Sequence, residues 1–192
     1  NKQQINTNIT PNPATPVISI SSPICEGEKA VFSTTVVSGA TYSWFNGANL
    51  LVSTGSTYTI PAAALTDAGN YALKLRVNGC ESELATTILD VKPLPVVPAI
   101  QSNSPLCEGE TLTLETAAQP GVIYSWVKAG QNLGASEILS IGNAQVSDAG
   151  MYELTANLNG CSAVPATLVV EVKSKPTRPV ISNNGPLCTG EQ

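Results

Sequence analysis

One motif, written three times, constrains this chain more than any other feature. Pro16-Val-Ile-Ser-Ile-Ser-Ser-Pro-Ile-Cys25-Glu-Gly-Glu28 returns as Pro98-Ala-Ile-Gln-Ser-Asn-Ser-Pro-Leu-Cys107-Glu-Gly-Glu110. It returns again as Pro179-Val-Ile-Ser-Asn-Asn-Gly-Pro-Leu-Cys188-Thr-Gly-Glu191, at offsets of 82 and 81 residues. The first two copies continue in step. Tyr42-Ser-Trp44 answers Tyr124-Ser-Trp126, Asp67-Ala-Gly-Asn-Tyr71 answers Asp148-Ala-Gly-Met-Tyr152, and Asn78-Gly-Cys80 answers Asn159-Gly-Cys161. Anchors in one order at nearly constant spacing mark a tandem array. A repeat of about 80 residues is long enough to enclose its own core. The expected organisation is a Pro/Asn/Thr-rich leader over 1–15, one repeat over 16–93, a second over 94–174, and over 175–192 the opening of a third. That opening holds one strand and a turn, too little to fold alone.

The pattern within a repeat is that of strands. Tyr71, Leu73, Leu75 and Val77 alternate with Ala72, Lys74 and Arg76, and Tyr152, Leu154, Ala156 and Leu158 alternate with Glu153, Thr155 and Asn157. Period two puts each apolar set on one face of a strand. Asn78-Gly79 and Asn159-Gly160 follow, a pair that tolerates positive φ and favours a tight type I′ hairpin. The last strand then alternates Ala166, Leu168, Val170 and Val172 against Thr167, Val169 and Glu171. Earlier strands are expected at Pro16–Ser21, Lys29–Val36, Thr41–Phe45 and Thr57–Ile60, with Phe32 and Leu114 in the core. No useful helical period appears; Ala62–Ala64 allows one short turn. About seven strands per repeat, with turns every 8 to 12 residues, point to an all-β chain of tandem sandwiches.

Several functions are disfavoured on composition. The net charge is −5 and the nine basic residues are scattered, whereas a nucleic-acid site needs clustered Lys or Arg and an anionic membrane surface needs the same. No run of about 18 apolar residues offers a membrane-spanning helix. The sequence has no His, which removes the commonest general base and metal ligand. No nucleophile–base pair or phosphate loop stands out. The reading is therefore a non-enzyme with no cofactor, no bound metal, no nucleic-acid partner and no direct membrane insertion.

The Asp-x-Gly-x-Tyr segments, Asp67 to Tyr71 and Asp148 to Tyr152, resemble the tyrosine corner of immunoglobulin domains, in which the Tyr hydroxyl bonds backbone at the entry to strand F. Trp44 and Trp126 resemble the strand-C tryptophan of that fold, and Gly109 to Leu114 resembles the entry to strand B. The resemblance covers nearly all of both repeats and implies tandem immunoglobulin-like β-sandwiches. The usual inter-sheet cysteines are missing. Their places fall at Leu73 and Leu154 on strand F, and at about Thr34 and Thr116 on strand B. The cysteines stand instead in the A–B loop and beside the F–G turn. With its Pro-x-Cys-x-Gly-Glu opening and Asn-Gly-Cys turn, the chain resembles the repetitive Ig-like modules of large Bacteroidota surface proteins, a group that includes gliding-motility adhesins and other cargo of the type IX secretion system.

That fold decides how the five cysteines can pair. Cys25 and Cys80 lie 55 residues apart, and Cys107 and Cys161 lie 54 apart, so one disulfide within each repeat is the plain reading for a secreted chain. The fold objects: the A–B loop and the F–G turn lie at opposite ends of an Ig sandwich. The seven residues Tyr71–Val77 already extend about 23 Å, while a disulfide needs Cα atoms within about 7 Å. In a head-to-tail array the A–B end of one module faces the F–G end of the next. We therefore expect Cys25 to bond Cys161, leaving Cys107 for the turn of a third repeat and Cys80 for a preceding one. Pairing within each repeat and free thiols remain open at this point. Cys188 belongs to the incomplete third repeat.

Two functional readings follow. One is a structural stalk or filament segment of an extracellular, cell-surface adhesin, built from near-identical modules joined by Pro-rich links (Lys92 to Pro98 and Lys173 to Pro179) that restrict the backbone. Its partners would be neighbouring repeats of the same chain or other copies in a filament. The alternative is a module that binds a surface glycan or protein through its loops. Two minor sites were weighed. Glu26, Glu28 and Asp67, with Glu108, Glu110 and Asp148, form an acidic end that could attract Ca²⁺, though loop solvation and capping explain them better. Tyr42, Trp44, Tyr124 and Trp126 could stack on a sugar, but their strand-C placement makes the tryptophans core residues. Phe45 stands out of phase and is the better candidate for exposure.

Overall fold

The structure, a computed structural model, describes residues 11–181 and Gly185. Cys188, residues 1–10 of the expected leader and most of the expected third repeat lie outside the described residues. The chain is all-β, with two short 3₁₀ turns as its helical content among the described residues. It divides into two compact units. Among the described residues, the first comprises those up to Val96 together with Asn157–Ala163, and the second comprises Val97–Ala156 and those from Val164 on.

In the first unit the strands are β1 (Ile18–Ile20), β2 (Ile24–Cys25), β3 (Ala30–Thr34), β4 (Ala40–Phe45), β5 (Leu51–Ser53), β6 (Thr57–Ile60), β7 (Gly69–Val77), β8 (Cys80–Glu81), β9 (Ala85–Leu89) and β10 (Val91–Lys92). One sheet has the order β1-β3-β6; the other runs β5-β4-β7-β8, with β9 also on β7. Alternation puts every second side chain inward. Ala30, Phe32 and Ile60 from the first sheet meet Tyr42, Trp44, Tyr71, Leu73, Leu75 and Leu89 from the second in one buried cluster. Phe32 is its hub, with ring centroids 4.5 Å from Tyr71, 5.5 Å from Tyr58 and 5.9 Å from Trp44.

The second repeat follows the same course with β11 (Gln101–Ser102), β12 (Leu106–Cys107), β13 (Leu112–Glu115), β14 (Val122–Lys128), β15 (Gln131–Gly134), β16 (Ile138–Ile141), β17 (Gly150–Leu158), β18 (Cys161–Ser162), β19 (Ala166–Val170) and β20 (Val172–Lys173). Its sheets are β11-β13-β16 and β15-β14-β17-β18, with β19 on β17. Leu112, Leu114, Trp126, Tyr152 and Leu154 are wholly buried. Leucine thus replaces the phenylalanine hub of the first repeat.

Three local expectations need correction. The cysteine segment taken for a loop is a short strand: β2 runs parallel to β10, with Ile24 opposite Val91 and Cys25 opposite Lys92. Likewise β12 runs parallel to β20, with Cys107 opposite Lys173. A pairing of two residues between distant segments has no periodicity for sequence reasoning to detect. The helical turn falls at Leu65–Asp67 rather than Ala62–Ala64, and at Val146–Asp148 in the second repeat. Thr34 is not the buried strand-B position either. Phe32 fills it, while Thr34 is partly exposed and its hydroxyl donates to the Val17 carbonyl at 2.9 Å.

Candidate functional site

The Asp-x-Gly-x-Tyr segments are held by two hydrogen bonds each. Asp67 folds back so that its Oδ2 accepts from the Ala64 backbone N–H at 2.8 Å, and the Tyr71 hydroxyl donates to the Asp67 carbonyl at 2.9 Å. In the second repeat Asp148 Oδ2 accepts from Gln145 N–H at 2.8 Å, and the Tyr152 hydroxyl donates to the Asp148 carbonyl at 2.9 Å. These bonds tie the 3₁₀ turn to the start of β7 and of β17. Burial pushes the Tyr71 and Tyr152 hydroxyls above the ordinary tyrosine value, because the charged phenolate would lose its water, and the nearby aspartates add to the shift. The tryptophans are fully buried and satisfied: Trp44 Nε1 donates to the Gly55 carbonyl at 2.9 Å and Trp126 Nε1 to the Ser136 carbonyl at 2.8 Å. Tyr42 is buried too, its hydroxyl accepting from Val37 N–H at 2.7 Å. Phe45 is half-buried at a register shift between β4 and β5. These rings offer no flat exposed platform.

The acidic residues near each cysteine serve the backbone. Glu28 Oε2 accepts from Cys25 N–H at 2.8 Å and Glu110 Oε2 accepts from Cys107 N–H at 2.6 Å. The Cys-Glu-Gly-Glu turn needs Gly27 at φ 85° and Gly109 at φ 89°, the left-handed region that glycine enters without a Cβ penalty. Gly27 N–H then reaches the Ala63 carbonyl and Gly109 N–H the Ala144 carbonyl, at 2.8 and 2.7 Å. On the other side, Glu26 N–H donates to Lys92 O and Glu108 N–H to Lys173 O, both at 2.8 Å. Each cysteine therefore projects from a short strand clamped on both flanks, beside the residue where its repeat ends.

The cysteines beside the hairpins are placed by the Asn-Gly turns. Asn78 and Gly79 have φ of 50° and 87°, and Asn159 and Gly160 have 52° and 91°, the pair of positive values that a type I′ turn requires. Cys80 thereby faces Val77, and Cys161 faces Leu158. Within the first repeat, β7 separates the two ends. Cys25 lies by Lys92, just beyond the β9 end that pairs with Gly69, whereas Cys80 lies at Val77, about 26 Å further along the strand.

A disulfide joins Cys25 to Cys161, with Cα atoms 5.6 Å apart and a sequence separation of 136. Cys161 is buried, and the Asn157–Ala163 hairpin that carries it clusters with the first unit. A second contact accompanies the bond: Lys92 Nζ donates to the Asn159 carbonyl at 3.3 Å. Cys107 is exposed and has no disulfide partner among the described residues. Sequence reasoning missed Lys92 and the capping role of Glu28 and Glu110. The Cys-x-x-Glu spacing was the available signal for the cap. The contact made by Lys92 depends on distant chain segments and leaves no local signal.

Comparison with known proteins agrees with the fold. The family model described as "Ig-like domain CHU_C associated" matches residues 13–93. No curated protein matches the sequence significantly. Among solved structures, a chain from the crystal structure of mouse coronavirus receptor-binding domain complexed with its murine receptor is similar, at TM-score 0.52 and 16% identity, over 82% of this chain and 99% of that one. Extracellular domains 3–5 of Drosophila OTK are similar at TM-score 0.53 and 16% identity, over 84% of this chain and 62% of that one. At such identity the likeness concerns the fold alone. The match over residues 13–93 is to a domain type found in Bacteroidota surface proteins and is consistent with an Ig-like repeat module.

Proposed function

We propose that this chain is a structural segment of a repetitive extracellular surface protein: a stalk of tandem seven-stranded Ig-like modules, bounded near 16–93 and 94–174, that carries an adhesive region away from the cell. The Cys25–Cys161 disulfide carries the reading. It fastens the opening motif of one sequence repeat to the Asn-Gly-Cys hairpin of the next, so successive repeats are joined by a covalent bond as well as by the chain. The cores support the same view, since their aromatic and leucine packing is complete without an inter-sheet cystine. The features that the two repeats share, namely the corner, the buried tryptophan and the hairpin, go into folding and linkage. The resemblance to gliding-motility adhesins and type IX secretion cargo supplies the cellular setting.

The test is proteolysis under non-reducing conditions with mass spectrometry, alongside small-angle scattering of oxidised and reduced protein. The expected results are a peptide joining Cys25 to Cys161, an elongated profile when oxidised, and a broader distribution of sizes when reduced. A Cys25–Cys80 peptide, or scattering unchanged by reduction, would overturn the proposal.

A further inference from the structure

We infer that the strand bearing Cys107 is an open docking site for a β-hairpin with an Asn-Gly-Cys turn, supplied by a following repeat. The inference rests on the covalent-array reading and extends it to a rule of assembly.

The observation is a site built twice and, among the described residues, filled once. Around Cys25 stand the parallel pairing with Lys92, the Glu28 cap on the cysteine N–H, the Glu26 N–H bond to Lys92 O and the Gly27 bond to Ala63. Around Cys107 stand the same four features, with Lys173, Glu110, Glu108 and Gly109 bonded to Ala144. Corresponding distances agree within 0.2 Å. At Cys25 the site holds the Asn159-Gly-Cys161 hairpin through the disulfide and the Lys92 ammonium. At Cys107 the thiol is exposed and has no disulfide partner among the described residues, and Lys173 occupies the register position of Lys92. Its ammonium is 3.9 Å from Glu171 on the surface, a contact weak enough to yield to a backbone carbonyl. The occupant is indicated by the twin site and by the sequence itself, in which the opening motif recurs at Pro179 to Glu191.

The covalent step needs an oxidant, and a low-molecular-weight disulfide RS–SR balances it. The Cys107 thiolate attacks RS–SR, forming a mixed disulfide and releasing RS⁻. The hairpin thiolate then attacks the Cys107 sulfur, forming the cross-link and releasing the second RS⁻. Two protein thiols are oxidised, and one disulfide is reduced to two thiols.

The experiment extends the full chain after Gln192 with a copy of Leu112–Lys173, which completes a third repeat. The protein is oxidised with glutathione disulfide and mapped under non-reducing conditions. The expected product carries Cys25–Cys161 together with Cys107 bonded to the copied Cys161. Lys173→Ala should slow the second bond about two- to fivefold, the loss of one exposed charged hydrogen bond, and leave the first unchanged. Cys107 remaining a thiol in molecules whose Cys25–Cys161 bond has formed overturns the inference. Absence of Cys25–Cys161 itself overturns the array reading instead. A second measurement needs no added repeat. In Cys161→Ser both sites are empty, so Cys25 and Cys107 should form mixed disulfides with glutathione at rates within about threefold of each other. A tenfold difference would show that the two sites are not equivalent.

Discussion

Replacing Cys161 with serine removes one covalent bond and little else. The chain-entropy treatment, with a sequence separation of 136 between the cysteines, gives a denatured-state entropy difference of about −17 cal/mol/K, or about 5 kcal/mol at room temperature. This figure is an upper bound, because it applies in full only when everything between the two cysteines is unfolded. It should therefore appear in the final unfolding transition, the one that releases the second of the two units. The assay is urea denaturation followed by tryptophan fluorescence and far-UV circular dichroism, with Cys25→Ser, Cys161→Ser, the double variant and Cys80→Ser compared with the parent. Cys25→Ser and Cys161→Ser should each lower the final transition by about 2–5 kcal/mol. The double variant should match either single one, since both break the same bond. A Cys25–Cys80 bond would span 55 residues and stabilise by about 4 kcal/mol, so magnitude alone does not separate the pairings. The pattern of sensitive residues does. Equal losses in Cys25→Ser and Cys80→Ser, with Cys161→Ser silent, would refute the reasoning.

Tyr71→Phe and Tyr152→Phe each remove one hydroxyl that donates to a backbone carbonyl; each should cost about 1 kcal/mol, read as a drop of several degrees in the melting of the repeat that carries it. Trp44→Ala empties a fully buried position and should cost about 3–5 kcal/mol, visible as loss of cooperative unfolding in the first repeat with the fluorescence of Trp126 retained. Alkaline pH should also destabilise the fold. The hydroxyls of Tyr58, Tyr71 and Tyr152 are held above their ordinary value of 10.0, chiefly by burial. The unfolded chain therefore loses these protons first, and the stability they contribute is intact below pH 10.0 and falls as pH rises beyond it. A spectrophotometric titration should show these phenolates appearing together with unfolding; their ionisation at the ordinary value in a chain with unchanged circular dichroism would contradict the burial argument.

Legibility in the sequence followed the range of the interactions. The alternation of Tyr71, Leu73 and Leu75 reports on the residue itself and its two neighbours, and the structure buries all three. The Asn-Gly turns are equally local, and both adopt positive φ. The 3₁₀ turn was displaced by three residues, because its position is set by Asp67 reaching back to Ala64 rather than by the run of alanines. The short β2–β10 pairing was missed altogether. Two residues carry no period, and their partners stand 67 positions away. The Cys25–Cys161 pair is longer in range still, yet was accessible, because the order of strands in the implied fold placed Cys25 and Cys80 at opposite ends. A topological argument can thus reach where local pattern cannot. It says which cysteines cannot meet, but does not locate the lysine beside the bond.

The position of the cysteines has a mechanical consequence that follows from the cores. In an Ig sandwich stapled between strands B and F, reduction removes a constraint inside the module. Here Phe32 and Leu73 in the first repeat, and Leu114 and Leu154 in the second, are wholly buried apolar side chains on those strands. Each strand position contributes on the order of 2 kcal/mol by burial alone, independent of redox state. A pull along the chain is carried by the Cys25–Cys161 bond rather than by the Pro-rich link between Lys92 and Pro98, which lies between the two cysteines. The bond bypasses β3 to β17, because tension entering through Cys161 passes directly to Cys25. Everything from Glu26 to Gly160 then lies within a closed covalent loop and cannot be extended while the bond holds. Cores that need no cystine and a cystine that shields the core from tension are complementary: the first lets the cysteine leave the interior, and the second gives a reason for its place at the end of the repeat.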